Sequence, residues 1–289
     1  MPAISFVQSM CGDTAALWTF DLWITLPLLL SAALYAAGVT RLWNHAGIWR
    51  GIHGRQLGCY IAGWLVLVFA LVSPVHRWGT GLFSIHMVEH ELVMAVAAPL
   101  LALGRPGTAF AWALGSHWRR GWPKALRRSG LRSVGTRLTR PVAATSLHGL
   151  AIWVWHVPAL FDAAVSDVGV HRLQHVSFLG TGLLFWWTLV RHRNAGIATA
   201  HLFATMLHTS ILGAIVALAP RVLYHLQSER AADWGMTPLQ DQQLAGLLMW
   251  VPAGLVYAGA ALLFFALWVR RSGNAKPAAV NVGFCHAAR

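Results

Sequence analysis

The sequence predicts an all-α fold: a polytopic membrane bundle of seven transmembrane helices, with its N-terminus outside and its C-terminus in the cytoplasm. Three observations predict it. Hydrophobic residues make up 57% of the chain and charged residues only 11%, with a mean hydropathy of +0.55, which is the composition of an integral membrane protein. Uncharged apolar runs of the ~18–25 residues needed to cross about 30 Å of hydrocarbon recur along the chain. Basic residues crowd into alternate connections, as they do in cytoplasmic loops.

The apolar runs fall at 22–40, 57–74, 83–103, 143–161, 171–190, 200–219 and 244–269. The third is weakest at its start, where Glu89 and Glu91 sit among apolar residues, but Leu92 to Leu103 is strongly apolar. Met1 to Phe20 carries no basic residue, so the charged start of a cleavable signal peptide is missing and the first run is expected to remain a helix. The expected organisation is an extracytoplasmic segment at 1–21, a transmembrane domain at 22–271 and a polar, Pro-containing, disordered cytoplasmic tail at 272–289. Cys11, Cys59 and Cys285 are scattered and form no C-x-x-C pair, so no disulfide framework is implied.

Orientation follows from Lys and Arg. Loop 41–56 carries Arg41, Arg50 and Arg55; loop 104–142 carries nine basic residues and no acidic one; Arg191 and Arg193 lie between runs five and six; and Arg270, Arg271, Lys276 and Arg289 follow the last, so that 18 of the 22 basic residues share one side. The other connections hold Arg77, Arg172, Arg221 and Arg230 with Asp162, Asp167, Glu229, Asp233 and Asp241. The basic loop, with Trp112, Trp118 and Trp122, reads as an interfacial anchor on the anionic inner leaflet rather than a separate domain. A net charge of +13 would suggest nucleic acid in a soluble protein, but here it belongs to the loops. Membrane lipid is the expected partner and nucleic acid is not.

Histidines are the chemical signal. His86, His90, His148, His156, His171, His175, His201 and His208 lie inside or at the ends of apolar runs, with His76 and His225 in short connections nearby. An ionisable group in a bilayer segment is costly and marks function. With the topology above, His86, His90, His156, His171 and His175 come from three helices to the outer face, His208 lies near the middle of run six, and His148 and His201 lie deep toward the cytoplasm. His86/His90 and His171/His175 are i,i+4 pairs, each on one helical face about 6 Å apart. A lone membrane histidine can simply hydrogen-bond a neighbouring helix, worth about 0.6 kcal/mol. That accounts for His148 and His201, but not for two pairs facing one side.

The expected metal ligands are His86, His90, His156, His171, His175 and His208. Met94, four residues after His90, and Met249 are auxiliary candidates, although methionine in a bundle is more often gap-filling core. Glu89 and Asp241 are the acids placed to orient imidazoles through the ring N–H that does not bind metal. Imidazole suits zinc, copper, iron and nickel, and thioether selects Cu(I), so copper is the best single fit. Ligands must be deprotonated, so binding is expected to weaken as pH falls through about 6.5. Two alternatives remain open: a b-type cytochrome with haem between histidines of facing helices, His90 with His175 or His156, and a copper or proton transporter stepping through His208, His201 and His148. Enzymatic chemistry is not expected, since no nucleophile elbow, phosphate loop or H-E-x-x-H helix is present.

Five stretches carry a family resemblance: HMVEH at 86–90, APLLALGRP at 98–106, WHVPALFDAA at 155–164, HRLQHVSFLGTGLLFWW at 171–187 and DQQLAGLLMW at 241–250. Together they resemble the seven-span CtaG family of cytochrome c oxidase assembly factors, the kind associated with caa-type oxidases, and not the one-span copper chaperone that shares the name. The similarity runs from the first span to the seventh and omits the termini. It implies a bacterial inner-membrane protein needed for maturation of a haem–copper oxidase, with oxidase subunits as partners and copper delivery or insertion as its task.

Overall fold

The structure, a computed structural model, describes residues 18–228 and 230–273, and the regular structure among them is entirely helical. Helix α1 (Leu22–Ala46) is N-capped by Asp21, whose carboxylate accepts from the Trp23 amide at 2.9 Å. Helix α2 (Gly54–Val72) is followed at once by a short helix α3 (Pro74–Gly79), opened by the Ser73 hydroxyl accepting from the Val75 amide.

The third apolar run is compound: α4 (Phe83–Glu91), a π-helical turn (Leu92–Ala97) and α5 (Ala98–Leu103). Pro99 has no N–H for the carbonyl of Ala95, and the ladder widens before it, with the Ala98 amide reaching back to the Val93 carbonyl. Such single π turns concentrate at functional sites. This run is the most buried of the candidate spans, with 61% of its apolar window inside the protein, which places its histidines at the bundle's centre rather than against lipid.

The basic loop folds into α6 (Pro106–Ala113), α7 (Gly115–Arg128) and α8 (Leu131–Leu138), and the Arg119 guanidinium lies 3.8 Å over the Trp112 ring. Helices α9 (Pro141–Trp155) and α10 (Pro158–Ser166) are bent by 75° at the intervening break. The sequence reads that stretch as one run, but Pro158 holds Val157 in the extended region and ends the helix. Helices α11 (Val168–Arg191), α12 (Ala195–Ala217) and α13 (Pro238–Gly273) complete the chain, with a 3-10 turn at Ala231–Trp234 before the last.

Five helical runs among the described residues are long and apolar enough to cross a membrane, and a sixth if α9 and α10 form one span. The sequence predicts seven. The difference lies in α11, which has the length at 24 residues but carries His171, Arg172, Gln174 and His175 in its first turns. Residues 1–17 and 274–289, which hold most of the expected N-terminal segment and tail together with Cys11 and Cys285, lie outside the described residues.

Close approach of α12 and α13 rests on two glycines. A Cβ on Gly246 would stand 2.3 Å from the Ala217 nitrogen, and one on Gly213 would stand 2.8 Å from the Trp250 nitrogen. Small residues permit this backbone contact where no hydrophobic drive separates helix from lipid. The outward faces carry exposed Leu29, Leu65, Phe203, Leu207, Leu262 and Leu263, as a lipid-facing surface requires.

Candidate metal centre

Helix α4 is held at its start by Asp241 of α13. The amides of Phe83 and Ser84 donate to its two carboxylate oxygens at 2.7 and 3.0 Å, and the Ser228 hydroxyl donates at 2.9 Å. A carboxylate at a helix N-terminus satisfies free amides and meets the positive end of the dipole. Asp241 therefore positions the helix that carries the histidines. It is not placed to orient an imidazole, which corrects the role expected from sequence.

Helix α3 lies against α4 because Gly79 has no side chain. A Cβ there would stand 3.2 Å from Glu89 Oε2 and 3.4 Å from His86 Cα, and the Gly79 carbonyl is held by the buried Gln227 amide. This contact brings His76 over the site.

The two expected pairs face one another. Ring centroids are 4.2 Å apart for His86 and His90 on α4, and 4.6 Å for His171 and His175 on α11. Across the helices the separations are 5.0 Å for His90 and His175 and 5.5 Å for His86 and His171. His76 closes the group at 5.7 Å from His171 and 6.0 Å from His175. One ligand nitrogen each from His76, His171 and His175 lies within 4.8 Å of the others, and the His171 and His175 Nε2 atoms are 2.8 Å apart.

Glu89 is buried beside His76 and His175, 1% exposed. Its Oε1 accepts from His76 Nδ1 at 2.7 Å and lies 3.5 Å from His175 Nε2. A carboxylate only accepts, so His76 Nδ1 donates and Nε2 is the nitrogen left to bind a cation. Burial by itself would depress the His76 pKa, but the hydrogen bond and charge of Glu89 outweigh it and raise the imidazole above its ordinary value. The imidazole that Glu89 bonds belongs to His76, a histidine the sequence placed only nearby.

Five ring nitrogens in this cluster are buried without a partner: both of His86, both of His90, and Nδ1 of His175. Glu89 Oε2 is likewise unpartnered. A buried polar group left unsatisfied costs about 1–3 kcal/mol, and so many in one place fit a site built to receive an ion. The donor set is imidazole with one carboxylate, which suits copper or zinc rather than calcium or magnesium.

The remaining expected ligands fall elsewhere. His156 donates through Nδ1 to the Ile152 carbonyl at 2.6 Å; its ring packs beside Phe161 and Phe178 and shares a narrow cavity with His90. His208 accepts from the Trp153 indole at 3.3 Å and its Nε2 lies over Gly149, so it belongs to the α9–α12 contact. Met94 and Met249 are buried and line that same narrow cavity, next to His90. His148 pairs with Thr181 and Tyr257, and His201 with Thr145, the helix-to-helix bonds expected of lone membrane histidines. Arg172, between His171 and His175, donates to Asp21 at 2.6 Å and ties the start of α11 to α1.

Comparison with known proteins places this architecture. The chain is 26% identical over 267 residues to an uncharacterized protein of Mycobacterium leprae, and 27% identical over 267 residues to uncharacterized proteins of Mycobacterium bovis and Mycobacterium tuberculosis. Each match covers 88% of this chain but 40% of the relative, so the chain spans less than half the length of these curated relatives. No solved structure matches it. Residues 33–271, which include the whole histidine cluster, match the family described as cytochrome c oxidase caa3 assembly factor (Caa3_CtaG), and the chain belongs to that family.

Proposed function

We propose that the protein is a non-enzymatic, copper-binding assembly factor of the bacterial inner membrane, which captures copper at its histidine cluster and delivers it to cytochrome c oxidase. The observation that carries this reading is the convergence of His76, His86, His90, His171 and His175, with the buried Glu89 carboxylate against two of them. Five imidazoles exceed the four donors of a closed site, so one can leave as an acceptor ligand arrives, which is what transfer requires. Copper is cargo here, not a resident cofactor.

Seven crossings belong to this reading. At 1.5 Å per residue the 24 residues of α11 reach about 36 Å, enough to span, and its polar first turns face the cluster instead of lipid. The Lys/Arg bias then puts the cluster at the outer face and the α6–α8 segment on the inner leaflet. A haem between His90 and His175 would need a planar slot; instead their rings are 5.0 Å apart and Phe178 packs 4.7 Å from His90. A relay through His148, His201 and His208 finds each bonded to a neighbouring helix.

Complementation tests the function. In cells lacking the protein, oxidase is expected to accumulate deficient in copper, and wild type but not His90→Ala or His175→Ala is expected to restore its copper and activity. Full restoration by both variants would overturn the reading.

A further inference from the structure

Further into the bundle than the imidazole cluster lies a second cavity, whose walls include Met87, Met94 and Met249 together with His90, His156 and Glu91. Three of the chain's seven methionines thus meet at one place, from α4, the π turn and α13, each 1–4% exposed. Thioethers in a bundle ordinarily fill gaps. Two observations set this group apart.

The first is His156. A carbonyl can only accept, so its Nδ1 carries the proton given to Ile152 at 2.6 Å, and its Nε2 must present a bare lone pair in the neutral ring. That nitrogen is buried and has no partner. Fixing one imidazole nitrogen by a backbone carbonyl so that the other can bind metal is the usual arrangement of histidine ligands. The second is the π turn: the Met94 carbonyl accepts from the Trp186 indole at 3.0 Å, which pins the widened turn that carries Met94.

We propose that this cavity is a second metal site, selective for Cu(I), with thioethers of Met87, Met94 and Met249 and Nε2 of His156 as its donors and His90 shared with the imidazole cluster. Soft, neutral donors select the cuprous ion over zinc, calcium and magnesium. The inference rests on the copper reading of the outer cluster and gives it a second station, reached by exchange of ligands on His90. Copper enters and leaves as Cu(I), so no electron is transferred.

The test uses full-length protein with selenomethionine in place of methionine, purified in detergent and loaded with Cu(I) against a chromophoric Cu(I) chelator. Copper-edge X-ray absorption is expected to show copper–selenium scattering, with two equivalents bound. The double substitution Met94→Leu/Met249→Leu, which keeps volume and apolarity, is expected to lose that scattering and one equivalent while the nitrogen-bound equivalent stays. One equivalent with only nitrogen or oxygen scattering overturns this site and leaves the outer one standing. No bound copper at all overturns both, and the labelled wild type gives its answer however the double variant folds.

Discussion

His76 and Glu89 are joined by a 2.7 Å hydrogen bond across two helices, thirteen residues apart. The bond fixes which His76 nitrogen faces the cluster and holds the carboxylate beside His175. Carboxylates that orient metal-binding imidazoles are worth about 10–100-fold in affinity. Glu89→Gln, which keeps an acceptor oxygen but no charge, is expected to weaken copper binding about 10-fold, and Glu89→Leu about 100-fold. Competition titration with a Cu(I) chelator reads this, and wild-type affinity in Glu89→Leu would contradict it.

Asp241 makes three hydrogen bonds with no exposure to solvent. Removing a buried charged acceptor strands its donors, so Asp241→Ala is expected to cost about 3 kcal/mol of stability. Thermal unfolding in detergent should show a clear drop in midpoint. An unchanged midpoint would mean that α4 does not depend on this cap.

The α12–α13 contact gives a steric prediction. Gly246→Ala forces a methyl to 2.3 Å from the Ala217 nitrogen, and overpacking of this kind costs about 1–3 kcal/mol. Gly259→Ala on the same helix meets nothing within 4 Å and should leave the unfolding midpoint near that of wild type. Equal behaviour of the two variants would refute the close approach.

Asp21 gives the pH dependence. Burial pulls its pKa up, but the Arg172 guanidinium outweighs that and holds the carboxyl below its usual range. A depressed acid contributes stability that is fully present above its unfolded value of about 3.9 and is lost as pH falls through the lower folded value. Asp21→Asn keeps the cap but not the charge. Its destabilisation near neutrality should be below about 1 kcal/mol for a half-buried pair still screened by solvent, shrinking to nothing as acid protonates Asp21. Unfolding measured across acid pH checks this, and a difference that persists at the lowest pH would show that charge is not its source.

The apolar runs and both i,i+4 histidine pairs were legible in the sequence, because length and period are local properties. His76 was not legible as part of the cluster: a single histidine in a six-residue helix has no periodic partner, and only the Gly79 contact brings it over α4. The cap by Asp241 joins residues more than 150 positions apart, so the acid read as near the imidazoles when it holds the helix beneath them. His208 shares a depth in the bundle with other polar groups but lies on the α9 side of α12, and depth alone does not choose a face. Pro158 was visible, yet its effect depends on whether neighbouring helices hold the run straight, and here they do not.

Copper held among the imidazoles of α3, α4 and α11 is read by metal analysis of the purified protein. Wild type and His201→Ala, a histidine outside the cluster, should carry the same copper, while His86→Ala, His90→Ala and His175→Ala should stay folded by size-exclusion chromatography and carry at least one equivalent less. Undiminished copper in all three cluster variants would contradict the account.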